Sequence, residues 1–145
     1  MTSVPRVFAS GDVLARAAGT DVHLLTVESW GNRVVVRMVG AVDDAIRAEL
    51  AAHEARTQDW NERRRAGSDE WPPKTSGELI FQELTVRIAD DVGTTFDWSS
   101  GSSGGSGTEM LCEWRFEPGM PPAASTLTVT VTSADGSESS RTVGP

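Results

Sequence analysis

In EMLCEWRFE, residues 109 to 117, side chains alternate: Met110, Cys112, Trp114 and Phe116 share one parity, and Glu109, Leu111, Glu113 and Glu117 the other. A period of two places the first set on one face of a β-strand, and a strand with one dry face must be covered by a second layer. Slipping its register by one residue would turn the whole apolar set into water. This segment therefore commits the chain to a packed sheet.

The same pattern recurs. ELTVRIA sets Leu84, Val86 and Ile88 against Glu83, Thr85 and Arg87, and STLTVTVTS sets Leu127, Val129 and Val131 against a row of threonines. Both read as half-buried strands. Asp135-Gly136 then suits a type I′ turn into a short, polar edge strand near 138 to 143. Earlier, DVHLLTVESWGNRVVVRMVG reads as a hairpin turning at Gly31-Asn32, with Val34, Val36 and Met38 inward. Residues 4 to 16, with Val7, Val13 and Leu14, fit either one or two short strands or a strand and an irregular arm.

One segment breaks the alternation. AVDDAIRAELAAHEARTQDWNERRRAG is rich in Ala, Glu and Arg and sets Val42, Ile46, Leu50, Thr57 and Trp60 near one stripe of a 3.6-residue period. It predicts a helix over about 41–66, with Asp43 and Asp44 at its start and Arg63 to Arg65 at its end, where they complement the macrodipole. GSDEWPPKTSG follows as a Pro-containing loop leading back to the strands near Glu78. Strands, one helix, then strands with frequent turns argue for a mainly β fold: an antiparallel sandwich with one inserted helix, in a single domain spanning 1–145.

Composition narrows the partners. Thirteen basic residues against 21 acidic ones give a net charge of −8, opposite to what a phosphate backbone attracts, so nucleic acid is not expected. Arg dominates the basic residues, with Lys74 the only lysine, as in high-GC coding. The N-terminus has no basic start followed by a long apolar run, and no stretch approaches a membrane span. The expectation is a cytoplasmic protein with no membrane partner.

No pattern of catalytic chemistry stands out. The tract DWSSGSSGGSG lacks the lysine of a phosphate loop and runs into a strand rather than a helix, so it is expected to be a flexible connection. Asp90, Asp91 and Asp97 are hard oxygen ligands that suit calcium, although Asp91-Val92-Gly93 also suits an ordinary strand-ending turn. Cys112 shares its face with Met110 and Trp114 and reads as an inert core thiol. His23 and His53 are isolated on a strand and on the helix. The paired carboxylates Asp43/Asp44, Asp69/Glu70, Asp90/Asp91 and Glu109/Glu113 read as capping and solubility features. No cofactor and no catalysis are expected.

Five tryptophans without a tyrosine are left to place. Trp114, Trp98 and Phe96 are expected in the core, and Trp60 as the anchor of the helix on the sheet. Trp30, at a hairpin end, and Trp71, before Pro72-Pro73, are the candidates for exposure. With Trp60 they mark the expected partner-binding surface, for another protein or for self-association. The alternatives are a carbohydrate or small-ligand module, with calcium at Asp90, Asp91 or Asp97, and, less favoured, a hydrolase.

The segment LTVRIADDVGTTFDW, a glycine-rich stretch, CEWRFEP and PPAASTLTVTV together resemble uncharacterised bacterial immunoglobulin-like β-sandwich domains that carry a D-D-x-G-T turn. The resemblance covers about residues 79 to 132. It implies a sandwich used as an accessory or interaction module and carries no catalytic residues with it. The helix at about 41–66 is a departure from that pattern.

Overall fold

The computed structural model describes residues 4–41, 44–104 and 110–145, which form nine strands and two helices. In chain order they are β1 (Arg6–Ala9), β2 (Val13–Ala17), β3 (Thr20–Ser29), β4 (Val34–Gly40), α1 (Asp44–Arg65), α2 (Ser76–Glu83), β5 (Thr85–Asp90), β6 (Asp97–Gly104), β7 (Met110–Glu117), β8 (Leu127–Thr132) and β9 (Glu138–Val143). All strand pairings are antiparallel. A six-stranded sheet runs β1-β3-β4-β7-β6, with β2 beside β1 along β3, and a three-stranded sheet runs β5-β8-β9.

Register shows how the alternation becomes a core. Leu24, Met38, Cys112 and Ser103 lie in one cross-strand row, Val27, Val36, Trp114 and Gly101 in the next, and Ser29, Val34, Phe116 and Trp98 in the third. Leu24, Val27, Val34, Val36, Met38, Cys112, Trp114 and Phe116 of these rows share one buried cluster with Val86, Leu127, Val129, Val131 and Val143 of the smaller sheet. The opposite face of the larger sheet is charged: Arg37 bridges Glu28 on β3 and Glu113 on β7, and Arg115 reaches Glu113 at 2.8 Å. Arg6 closes one end of the sandwich, donating to the carbonyls of Ala124 and Pro121 at 2.6 and 3.0 Å.

The three-stranded sheet is too narrow to cover the larger one, and α2 fills the remainder. Thr75 caps it by accepting from the N–H of Glu78 at 3.1 Å, and Ile80, fully buried, packs beside Gly40 and Met110. This helix corrects the reading of 67–77 as a loop leading back to strands near Glu78. Thr75-x-x-Glu78 ahead of Leu79-Ile80-Phe81 is the sequence signal of a capped helix start. It is faint because the helix has only eight residues and includes Gly77.

The Ser/Gly tract is corrected as well. Up to Gly104 it is β6, in register with β7, and residues 105–109 lie outside the described residues. The Phe81 ring lies over Gly101, where a Cβ would come within 2.3 Å of Cζ, so the strand must be bare there for α2 to seat. The Asp135-Gly136 turn is also not type I′. Ser133 N–H donates to the Ser137 carbonyl at 2.8 Å around a three-residue loop, and only Gly136 has positive φ, the form of a type I turn closed by a left-handed residue.

Helix α1 is 22 residues, about 33 Å long. Ile46 is buried and Leu50 packs on the core, but no later residue of the helix joins the core cluster. Asp43 and Val42 lie outside the described residues. Trp60 does not anchor α1 on a sheet: its indole N–H donates to the Glu70 carbonyl at 2.8 Å, and Arg63 pairs with Glu70 and Asp59. The roughly ten residues after the helix, with a reach of about 33–36 Å, thus double back along it toward α2. Helix and returning strap form an arm.

Candidate functional site

The five tryptophans separate by position. Trp114 is buried in the middle row of the core. Trp30 is half-buried, stacked under the Arg33 guanidinium at 5.1 Å and approached so closely by Gly119 that a Cβ there would stand 2.1 Å from the Trp30 carbonyl oxygen. Trp60 is half-buried in the arm, with the Arg64 guanidinium at 5.3 Å. Trp71 is 92% exposed at the far end of the arm, where it shares a recess with Trp60, Arg64 and Pro72. The three expected partner-binding tryptophans are therefore not one surface: Trp60 and Trp71 share the arm tip, while Trp30 belongs to the β3-β4 hairpin.

Trp98 departs from expectation. Its parity is that of the core, yet it is 57% exposed. It occupies the last position of its cross-strand row, on edge strand β6, beyond the reach of the smaller sheet. Beside it a groove of about 380 Å³ is lined by Phe81, Gln82, Leu84, Thr85, Val86 and Trp114. Phe81 and Trp114 stack with centroids 5.1 Å apart at 16°, which braces one wall. The groove opens between two strands that are sheet edges among the described residues, β6 of one sheet and β5 of the other. Its polar side chains are Gln82 and Thr85, and Gln82 Oε1 already accepts from Lys74 at 2.7 Å.

The aspartates are occupied by the fold. Asp90 Oδ1 accepts from the N–H groups of Val92 and Thr94 at 3.2 and 2.9 Å, which folds the turn closed by Gly93 at φ 79°. Burial pushes the Asp90 carboxyl up, but hydrogen bonding from Thr94, through its side chain and N–H, and from the N–H groups of Val92 and Gly93 outweighs it and holds the group below its ordinary value. Asp90 Oδ2 is buried and has no hydrogen-bond partner among the described residues. Asp91 accepts from Ser125 N–H at 2.9 Å, tying this turn to the segment just before β8, and Asp97 opens β6 opposite Glu117. Among the described residues no group of three acidic, His or Cys side chains is arranged to hold a metal ion.

Other candidate groups are also placed. The Cys112 thiol is buried, faces the Gly77 carbonyl at 3.4 Å, and is pushed up to about 11 by burial. His23 Nδ1 lies 2.8 Å from the Gly11 carbonyl, and His53 Nδ1 is buried in the arm with no hydrogen-bond partner among the described residues. Of the paired carboxylates, Glu113 is bound to Arg37 and Arg115, and Glu109 lies outside the described residues. Among the described residues no helix is long and apolar enough to cross a membrane.

No protein-family model, no curated protein sequence and no solved structure matches the chain. The groove at Trp98 was missed at the level of sequence because Phe81, Val86, Trp98 and Trp114 come from four separate elements.

Proposed function

We propose that this protein is a non-catalytic interaction module built on an immunoglobulin-like sandwich, and that its working surface is the aromatic groove at the open β5/β6 edge. The observation that carries the reading is Trp98: a large indole on the core parity of its strand, more than half exposed, at the mouth of an apolar recess backed by Phe81 and Trp114. Exposed aromatics backed by rigid packing are the side chains that dominate protein-binding energetics. A volume near 380 Å³ lies at the lower end of the roughly 300–1,000 Å³ typical of ligand pockets and suits one bulky side chain. The arm, which exposes Trp71 while adding little to the core, supplies a second contact surface.

A sugar site would use the same indole face but needs several polar groups around it, and this groove offers Thr85 and a Gln82 already engaged by Lys74. Calcium at Asp90 would need further ligands, and among the described residues no group of three acidic, His or Cys side chains is arranged to hold a metal ion.

The test compares immobilised wild type with Trp98→Ala, matched for unfolding midpoint, in native lysate, alongside a thermal-shift panel of sugars and calcium. The expected result is a discrete protein retained by wild type and reduced about tenfold by the substitution. A sugar or calcium that raises the midpoint, with no protein retained, would replace this reading with that of a ligand-binding module.

A further inference from the structure

The strand edges of the two sheets are not alike. Strand β1 is four residues long and carries Arg6; β5 carries Arg87, paired with Glu138 of β9; and β9 also carries Arg141, paired with Asp12. Short length and charge are the usual protection of an edge against pairing with another chain. From Trp98 to Gly104, β6 has neither a charged residue nor a proline, and its one irregularity is the bulge between Trp98 and Ser100. Its side away from β7 pairs with no strand among the described residues.

Period-two geometry then specifies what an added strand would meet. Trp98 opposes Phe116 on the inner face, next to the groove. One residue earlier, Asp97 opposes Glu117, and the alternation turns both carboxylates to the outer face. Like charges directly opposite one another are unfavourable, and neither makes an ion pair among the described residues. Arginines share that face: Arg115 is directed toward Glu113 at 2.8 Å and the hydroxyls of Ser100 and Ser102 at 3.2 and 3.4 Å, and Arg33, which follows the Val34–Phe116 pair toward Glu117, has its guanidinium over the Trp30 ring at 5.1 Å. On the α2 side, Glu83 accepts from Ala18 N–H and Lys74 is held by Gln82. The edge thus combines an apolar recess on one face with two carboxylates that form no ion pair among the described residues on the other, in a chain of net charge −8.

We propose that the occupant of the groove is an extended protein segment alternating bulky apolar with basic side chains, which adds as a further strand to the free edge of β6. One apolar side chain enters the groove between Trp98 and Phe81, and the adjacent arginine or lysine falls on the outer face against Asp97 and Glu117. In strand addition the main chain supplies affinity and alternate side chains supply specificity. This proposal rests on the groove being a protein-binding surface and adds the chemistry of the partner.

The test uses a labelled, capped heptapeptide alternating arginine with leucine, measured by fluorescence anisotropy against the full chain at low and moderate ionic strength. The expected result is saturable binding that weakens about tenfold on Trp98→Ala. It should weaken about threefold, with a shallower salt dependence, on the double substitution Asp97→Asn and Glu117→Gln. Replacing arginine by glutamate in the peptide should abolish binding, and N-methylating alternate amides, which blocks strand addition, should weaken it about tenfold. Equal unfolding midpoints of the variants exclude misfolding as the cause. The proposal is overturned by no saturable binding of the parent peptide, by equal binding of the glutamate or N-methylated peptide, or by indifference to Trp98→Ala. A lysate protein captured through Trp98, with no affinity for the peptide, would overturn this inference and leave the protein-binding reading standing.

Discussion

Phe81 occupies the space that a side chain at residue 101 would need: a Cβ on Gly101 would stand 2.3 Å from its Cζ and 3.1 Å from the Glu113 carbonyl oxygen. The same ring stacks on Trp114. The contact seats α2 on the sheet and forms one wall of the groove, so stability and binding geometry meet at this glycine. Gly101→Ala is expected to destabilise the fold by about 1–3 kcal/mol through overpacking. Gly104→Ala, where a Cβ meets nothing within 4 Å, is expected to change it by less than about 1 kcal/mol. Urea unfolding of the two variants checks this; equal losses would show that Phe81 gives way freely.

Trp98 and Trp114 share one face of the larger sheet but differ in cover. Trp114→Ala is expected to cost about 3–5 kcal/mol, as for a large aromatic removed from a core. Trp98→Ala should cost about 1 kcal/mol or less, since more than half the residue already faces water. A comparable loss from both would place Trp98 back in the core.

The arm can be tested separately. Because no residue of α1 after Leu50 joins the core cluster, Trp71→Ala is expected to leave the unfolding midpoint unchanged, and Trp60→Ala to loosen the strap without unfolding the sandwich. Limited proteolysis provides the readout: Trp60→Ala should speed cleavage within 66–75 while the strands stay protected. Global unfolding by Trp60→Ala would show that the arm supports the core.

The turn at Asp90 should leave a signature in acid. Its carboxyl is held below the ordinary value of 3.8, so its contribution is complete above that pH and is lost as pH falls through the lower folded value. Wild type is therefore expected to lose stability more steeply than Asp90→Asn below about pH 4, and Asp90→Asn to be the less stable protein at neutral pH. Parallel urea midpoints between pH 2 and 6 would remove Asp90 from the account.

Cys112 should behave as a buried thiol. With its pKa pushed up to about 11 by burial, the thiolate is scarce at neutral pH, and Gly77 and α2 cover the sulfur. Labelling by a thiol reagent at pH 8 is expected to follow unfolding and to accelerate in urea in step with it. Fast labelling of the native chain would indicate that α2 opens independently.

The strands were legible where chemistry is local. In Met110–Glu117 and Leu127–Thr132 the alternation of side chains records which face is dry, because the two-residue period is a property of the strand itself. The helix 44–65 was legible from its Ala, Glu and Arg content, and the turn at Asp90 to Gly93 from its residue types. What the helix packs against was not legible: Trp60 shares a helical stripe with Ile46, yet Ile46 meets the core and Trp60 meets the returning strap.

Only the tertiary structure decided the rest. The tract DWSSGSSG has little strand propensity of its own and is a strand because β7 offers it a ladder and α2 requires bare backbone at Gly101. Trp98 and Trp114 are alike by parity, and their fates differ because one lies at mid-sheet under cover and the other at an edge that the three-stranded sheet does not reach. Periodicity specifies the face on which a side chain lies. Whether that face is covered depends on the widths of the layers and the order of the strands, which are set by contacts between residues far apart in the chain.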